Sequence, residues 1–325
     1  MTAIKMNPDL FLEFENGFQA RNPERSTIPA KVLGYGEIST VLEIEKEELH
    51  GLACKRMPMF LNEGEVENYL KLYREYLEVL QQRVGLNVVH GETVWIRDPD
   101  CGRVTAYILQ EKIPHGTIGH QAIHALPREK VLVLVRAALT EMKKVFDFNR
   151  EHQGKIEVGF DGQISNWAIT GFDPQNPKLE DPVKLTYFDT STPLMRKNGQ
   201  EQLDPELFLR SAPSFLVWIL RLLFVEDVMT RYYDFRRVAV DLIANFFKEQ
   251  RPELIPDLVN EVNALLSQQD LEGGFTPITI KEVRSYYRED AMIWRLYLAF
   301  RKVDRFFHGL LKREYPYVLP EKIKR

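Results

Sequence analysis

The chain is expected to be an α+β protein built as two lobes, a small antiparallel sheet with one long helix and then a larger, mostly helical lobe. Three observations predict this. Runs rich in β-branched and aromatic residues gather before Pro114. One amphipathic helical pattern interrupts them. From Asp204 onward nearly every segment carries helical spacing. The expected division is residues 1–112 and residues 113–325.

Taken in order, Val32 to Ile44 is a strand run broken by Gly34 and Gly36. Leu52 to Met57 is a second run across the charged turn Glu45 to Gly51, so the two form a hairpin. From Glu63 to Arg83 the apolar residues Val66, Leu70, Tyr73, Leu77 and Leu80 suit one helical face. Val88 to Ile96 and Arg103 to Lys112 read as two more strands joined by the turn Asp98-Pro99-Asp100-Cys101-Gly102. Arg128 to Arg150 is a long helix, and short strands and loops fill Lys155 to Pro193. The helical remainder is broken at Pro252, at Pro256 and around Gly273-Gly274-Phe275-Thr276-Pro277. Its most apolar stretch, Phe215 to Val225, is interrupted by Arg221 and followed by Glu226 and Asp227. It is too short to span a bilayer and reads as a buried core helix.

Composition narrows the function classes. With 44% hydrophobic and 28% charged residues, the 325-residue chain has the make-up of an ordinary soluble protein. Its net charge of −4 gives no general attraction to nucleic acid or anionic lipid. Cys54 and Cys101 are too few for a disulfide scaffold or a structural zinc site, and Cys54 is expected to pack as a small buried hydrophobe. Met1 to Pro8 has neither a long apolar stretch nor a small-residue cleavage site, so no secretion signal and a cytoplasmic location are expected.

Five short motifs follow one another. Gly34 and Gly36 lie in Val32-Leu33-Gly34-Tyr35-Gly36-Glu37-Ile38-Ser39, and Lys55 closes Leu52-Ala53-Cys54-Lys55. Tyr107-Ile108-Leu109-Gln110-Glu111-Lys112-Ile113-Pro114-His115-Gly116 ends a strand in a Pro-x-Gly turn. Asp161 precedes Asn166 by five residues, and an apolar strand follows. Leu185-Thr186-Tyr187-Phe188-Asp189 then delivers a second aspartate.

In this order the motifs resemble the kinase-like superfamily, nearest its small-molecule branch of aminoglycoside, choline and homoserine kinase-like enzymes. The resemblance covers Val32 to Pro193. It departs from the family pattern at Ser39, where a third glycine is usual, and at Gly159, where a histidine stands two before the aspartate. Thr190 and Ser191 follow Asp189 in place of Phe-Gly, and Ala-Pro-Glu is missing, so the chain is not a protein kinase of the usual sort.

The resemblance implies ATP and magnesium bound between the lobes. Gly34 and Gly36 would let the loop cover the phosphates, Ala53 would let adenine lie flat, and Lys55 would reach the α and β phosphates. Glu75, twenty residues beyond Lys55, is the carboxylate expected to hold that lysine, with Glu67 as substitute. Glu111 and Ile113 are the expected hinge contacts, made through the backbone. Asp161 would orient the hydroxyl of a small-molecule acceptor, and Asn166 and Asp189 would bind the metal. No nucleic-acid partner and no membrane span are expected. The alternative from another class is a pseudokinase that binds nucleotide or scaffolds and transfers nothing; a third is nucleotidyl transfer on the same fold.

Each motif also has a purely structural counterpart. The glycines suit a bulged hairpin at positive φ, Asp161-Gly162 a hairpin turn, and Asp189 or Thr192 a helix cap. His120 and His124, with His115 nearby, lie at a metal-ligand spacing but read as surface or capping groups. The basic and aromatic runs Arg231 to Arg237 and Arg284 to Arg288 read as amphipathic helix faces with inward aromatics. Nothing in the spacing decides whether Asp234 or Asp241 faces a cleft.

Overall fold

The computed structural model describes residues 7–36, 38–210, 230–267, 276–311 and 313–320. The expected core helix Phe215 to Val225, Glu37 of the glycine run, and Gly273-Gly274-Phe275 lie outside the described residues.

The first half is built on a five-stranded antiparallel sheet: β1 (Ala30–Tyr35), β2 (Thr40–Ile44), β3 (Leu52–Phe60), β4 (Gly91–Arg97) and β5 (Val104–Glu111), in the order β1-β2-β3-β5-β4. The glycine run splits the first predicted strand into two. Gly36 N donates to Ser39 O at 3.0 Å to close the turn, and the register slips between Val32 and Gly34. That slip is the expected bulge, yet neither glycine has positive φ. Gly36 is there for space: a Cβ would meet Ser39 Oγ at 2.6 Å. The turn between β4 and β5 forms as expected. The Asp98 carboxylate accepts from the Asp100 and Cys101 amides at 2.8 and 3.1 Å, and Gly102 supplies φ +71.

Side chains alternate across β3 and β5 with period two, which gives the sheet two different faces. Leu52, Cys54, Tyr107 and Leu109 pack on one side against Phe11 and Phe14 of helix α1 (Pro8–Asn16). This helix carries no motif and is not anticipated by the strand-and-helix reading above. Cys54 is fully buried there, and burial pushes its thiol up to about 12. Met57, Ala106 and Ile108 belong to the other face, in the large core that also takes in helix α2 (Glu63–Glu78) and most of the later helices. The five predicted inward residues of α2 and its continuation are all buried. Asn62 caps α2 by accepting from Glu65 N at 3.0 Å, and the helix ends in a π-helical turn, Val79–Val84, stopped by Gly85 at φ +79.

Beyond β5 come α3 (Gly119–Ala125) and α4 (Arg128–Glu151), then short strands. β6 (Ile156–Val158) is clamped to α4, because Asn149 both donates to and accepts from the Val158 backbone at 2.8 Å. β7 (Trp167–Ile169) pairs antiparallel with β8 (Leu185–Tyr187), and β9 (Met195–Lys197) lies between β6 and β10 (Gln200–Glu201). The remaining described helices are α5 (Glu206–Leu209), α6 (Phe235–Lys248), α7 (Ile255–Leu266) and α8 (Ile280–Leu310). Pro252 starts a 3-10 turn, but Pro256 sits in the first turn of α7 and breaks nothing, since its missing N–H has no helical partner there. The tail around Tyr315 to Leu319 is not helical; it is buried back against the sheet region. The molecule is thus mixed α and β, a small antiparallel sheet followed by a largely helical part. Among the described residues no helix is long and apolar enough to cross a membrane.

Candidate functional site

Lys55 leaves β3 on the face opposite α1 and donates to Asp189 Oδ1 and Ser191 Oγ, both at 2.7 Å. These partners lie 134 and 136 residues away, so the contact joins the early sheet to the segment after β8. Burial raises the Asp189 carboxyl, but the charge and hydrogen bond of Lys55, with the Ser191 hydroxyl, outweigh it and hold it below its ordinary value.

The β7–β8 hairpin brings the remaining expected metal residue to the same end. Trp167 pairs with Tyr187, and Phe188 N donates to Asn166 O at 3.1 Å. Asn166 therefore stands just before one strand and Asp189 just after the other. Asn166 Nδ2 donates to Asp161 O at 3.2 Å, which turns its amide oxygen away from that carbonyl. Asn166 Oδ1 and the Asp189 carboxylate are hard oxygens of the kind magnesium selects, so the donor set fits that ion. No group of three or more His, Cys, Asp or Glu side chains that could hold a metal occurs among the described residues.

Asp161 is half-buried in the segment leading to the 3-10 turn Ile164–Asn166. Its Oδ1 accepts from Gln163 N at 3.2 Å. Burial first, then the charges of Asp241 and Asp189, push its carboxyl up to about 7. Gly162 forms no hairpin turn; a Cβ there would meet Met142 Cε at 2.6 Å. Gly159 has a similar reason, because a Cβ would lie 2.7 Å from Leu194 Cβ and 3.2 Å from the Tyr233 ring. No histidine fits that position.

Glu75 requires a correction. It pairs with Lys197 of β9 at 2.5 Å and does not hold Lys55. The substitute Glu67 is exposed, and Glu65 belongs to Arg210 at 2.5 Å. The inward face of α2 instead carries Tyr69, Tyr73 and Tyr76. Tyr69 donates to Ser191 O, Tyr73 lies 3.3 Å from Thr190 Oγ1, and Tyr76 donates to Gly159 O at 2.9 Å. From β5, Gln110 Nε2 adds bonds to Phe188 O at 3.1 Å and Thr190 Oγ1 at 3.3 Å. Tyr69 and Gln110 thus hold the backbone on both sides of Asp189, Tyr76 holds it two residues before Asp161, and Tyr73 and Gln110 meet the Thr190 hydroxyl. The i, i+4, i+7 spacing of the tyrosines is the available signal; of the three, only Tyr73 belongs to the helical face read from the sequence.

Of the other expected residues, Gly34 lies in β1 and Gly36 in the turn after it, while Ala53 pairs with Gln110 two residues before Lys55. Glu111 closes β5, paired with Leu52, and Ile113 follows it into the Pro114 turn. Asp234 is a cap, accepting from Arg237 N at 2.9 Å. Asp241 is buried and accepts from Gln163 Nε2 at 3.0 Å. It lines a small pocket with Gln163, Asn245, Lys248, Tyr286 and Asp290. Asn245 Oδ1 in that lining is buried with no hydrogen-bond partner among the described residues. His115 and His120 have ring centres 6.0 Å apart, edge to face, and His120 is held neutral to about pH 4 by burial and by Lys248 and its neighbouring histidines.

The fold defines a mixed α and β protein in which a lysine of the sheet contacts an aspartate of the segment after β8, near enough to Asp161 for the two aspartate charges to interact. The chain belongs to a family of unknown function, DUF6206, whose model matches residues 17–305. No curated relative matches it. Among solved structures it is similar to WaaP in complex with acyl carrier protein, at 14% identity and a TM-score of 0.31, over 71% of this chain and 89% of that one.

Proposed function

We propose that the protein is an ATP- and magnesium-dependent phosphotransferase of the two-lobed kinase-like class, acting on a hydroxyl of a small molecule. Residues 1–112 would form the smaller lobe and residues 113–325 the larger. The observation that carries this is the contact between Lys55 and Asp189, residues chosen from the sequence for one polyphosphate site and 2.7 Å apart in the fold.

In this account Lys55 exchanges part of its bonding to Asp189 and Ser191 for phosphate oxygens. The Gly34–Gly36 turn covers the phosphates, Ala53 lies under the adenine, and the backbone at Glu111 and Ile113 meets its edge. Asn166 and Asp189 would hold magnesium, which supplies neutralisation of phosphate charge. Asp161 orients the acceptor hydroxyl and takes its proton as the new O–P bond forms and the bond to the β-phosphate oxygen breaks, releasing ADP. Little covalent chemistry is asked of the protein, so positioning and charge carry the rate. The tyrosines of α2 serve as positioning residues, with Glu75 having no part.

One feature favours the pseudokinase alternative: Lys55 is already satisfied by Asp189 and Ser191, so nucleotide must displace an existing contact. ADP release measured over a panel of hydroxyl acceptors separates the two. Turnover that Asp161→Ala abolishes supports the enzyme. Nucleotide binding without turnover on any acceptor supports the alternative.

A further inference from the structure

A second lysine, Lys248, stands beside the Asp161 loop. Lys248 is the last residue of α6, the end at which the helix dipole favours positive charge. Its Nζ lies 3.5 Å from Gln163 Oε1 and 3.6 Å from Glu249 Oε1, both at the limit of a bonding contact, and 31% of its side chain is open to solvent. Gln163 does not depend on it. That side chain is already held by Asn245 Nδ2 at 3.2 Å and by Asp241 Oδ2 at 3.0 Å, and its backbone amide binds the Asp161 carboxylate. Three donor hydrogens of a lysine therefore stand beside the Asp161 loop with weak local use.

Lys55 reaches Asp189 from the sheet, whereas Lys248 stands from the helical part beside Gln163, the residue whose amide binds the Asp161 carboxylate.

We infer that Lys248 is a second phosphate-binding cation, taking the terminal phosphoryl group of a nucleoside triphosphate from the side opposite Lys55. This rests on the phosphotransferase reading. Lys55 serves the inner phosphates that ATP and ADP share, and Lys248 serves the one they do not. The site therefore prefers triphosphate over diphosphate through a residue of α6.

The test is calorimetric titration of magnesium-ATP and magnesium-ADP into the full chain and into Lys248→Met, Lys248→Gln, Lys248→Arg and Lys55→Met, each first checked for cooperative unfolding. ATP affinity should fall roughly 10- to 50-fold in Lys248→Met and Lys248→Gln while ADP affinity moves less than about threefold, the loss of one charge-assisted contact. Lys248→Arg should keep most of the preference, and Lys55→Met should weaken both nucleotides together. Equal losses for ATP and ADP, or none, would overturn the assignment while leaving the phosphotransferase intact. A wild-type chain that binds neither nucleotide would remove the phosphotransferase reading itself, and this inference with it.

Discussion

Lys55 and Arg56 are neighbours on β3 and meet opposite fates. Arg56 points toward α1 and is 1% exposed. Its guanidinium clasps Glu15 through two bonds of 2.6 and 2.8 Å, donates to Pro316 O at 2.6 Å, and stacks 4.5 Å from the Phe18 ring centre. Tyr107 completes the set by donating to Glu15. Burial raises the Glu15 carboxyl, but Arg56 and Tyr107 more than offset it and keep it ionised. Lys55, one residue earlier, faces the other way, and its pair is less enclosed: its side chain is 14% exposed and that of its partner Asp189 36%. The closed pair locks α1 and the tail to the sheet. The open pair can change partners. A charge satisfied on all sides is structural, and one left accessible is available for a ligand.

The largest effect should come from breaking the closed pair. Arg56→Met leaves Glu15 buried and uncompensated, so denaturant unfolding should show a loss of about 3–5 kcal/mol. Whatever fraction stays folded should still bind nucleotide. Next is Gly159→Ala, which forces a methyl into contact with Leu194; overpacking of this kind costs about 1–3 kcal/mol, and turnover should drop further because the Asp161 segment shifts. An unchanged midpoint would show that Leu194 yields freely.

Tyr76→Phe removes only a hydroxyl, yet leaves Gly159 O without its donor, a loss of about 1–3 kcal/mol for a buried group. Tyr69→Phe should act on catalysis more than on stability, since it frees the backbone beside Asp189. Equal stability and unaltered turnover in both variants would mean that α2 does not position the site.

The smallest effect is a slope. The Asp161 carboxyl is raised above its unfolded value, so the folded state holds the proton more tightly between about pH 4 and 7. Its contribution to stability is thus complete in acid and is lost as pH rises through about 7. Asp161→Asn should flatten the stability–pH curve in that window. In the nucleotide-free protein the wild-type curve should fall there; if it does not, the carboxyl is not raised.

The same contrast explains what the sequence made legible. Strand periodicity and the Asp98–Gly102 turn were local, and the antiparallel sheet followed from them. Lys55, Asp161, Asn166 and Asp189 stand out through spacing within short motifs, and the fold brings Lys55 to Asp189. Glu75 was chosen by distance along the chain, without regard to which side of the helix it occupies. It lies one residue from Tyr76, about 100° round the helix, and so faces Lys197 instead of the cleft. No local pattern marks Arg56, because its partners, Glu15 and Pro316, lie far away in sequence. Lys248 and Asp241 carried no motif, and only the packing of α6 beside the Asp161 loop brings them near the site.

The central claim is that Lys55, and not its fully enclosed neighbour Arg56, serves a polyphosphate. Titration of magnesium-ATP into wild type and Lys55→Met, with thermal unfolding of both, tests it most directly. The account predicts binding by wild type, none by Lys55→Met, and a cooperative thermal transition in both chains, so that the loss is read on folded protein. Full ATP affinity in a folded Lys55→Met chain would contradict it.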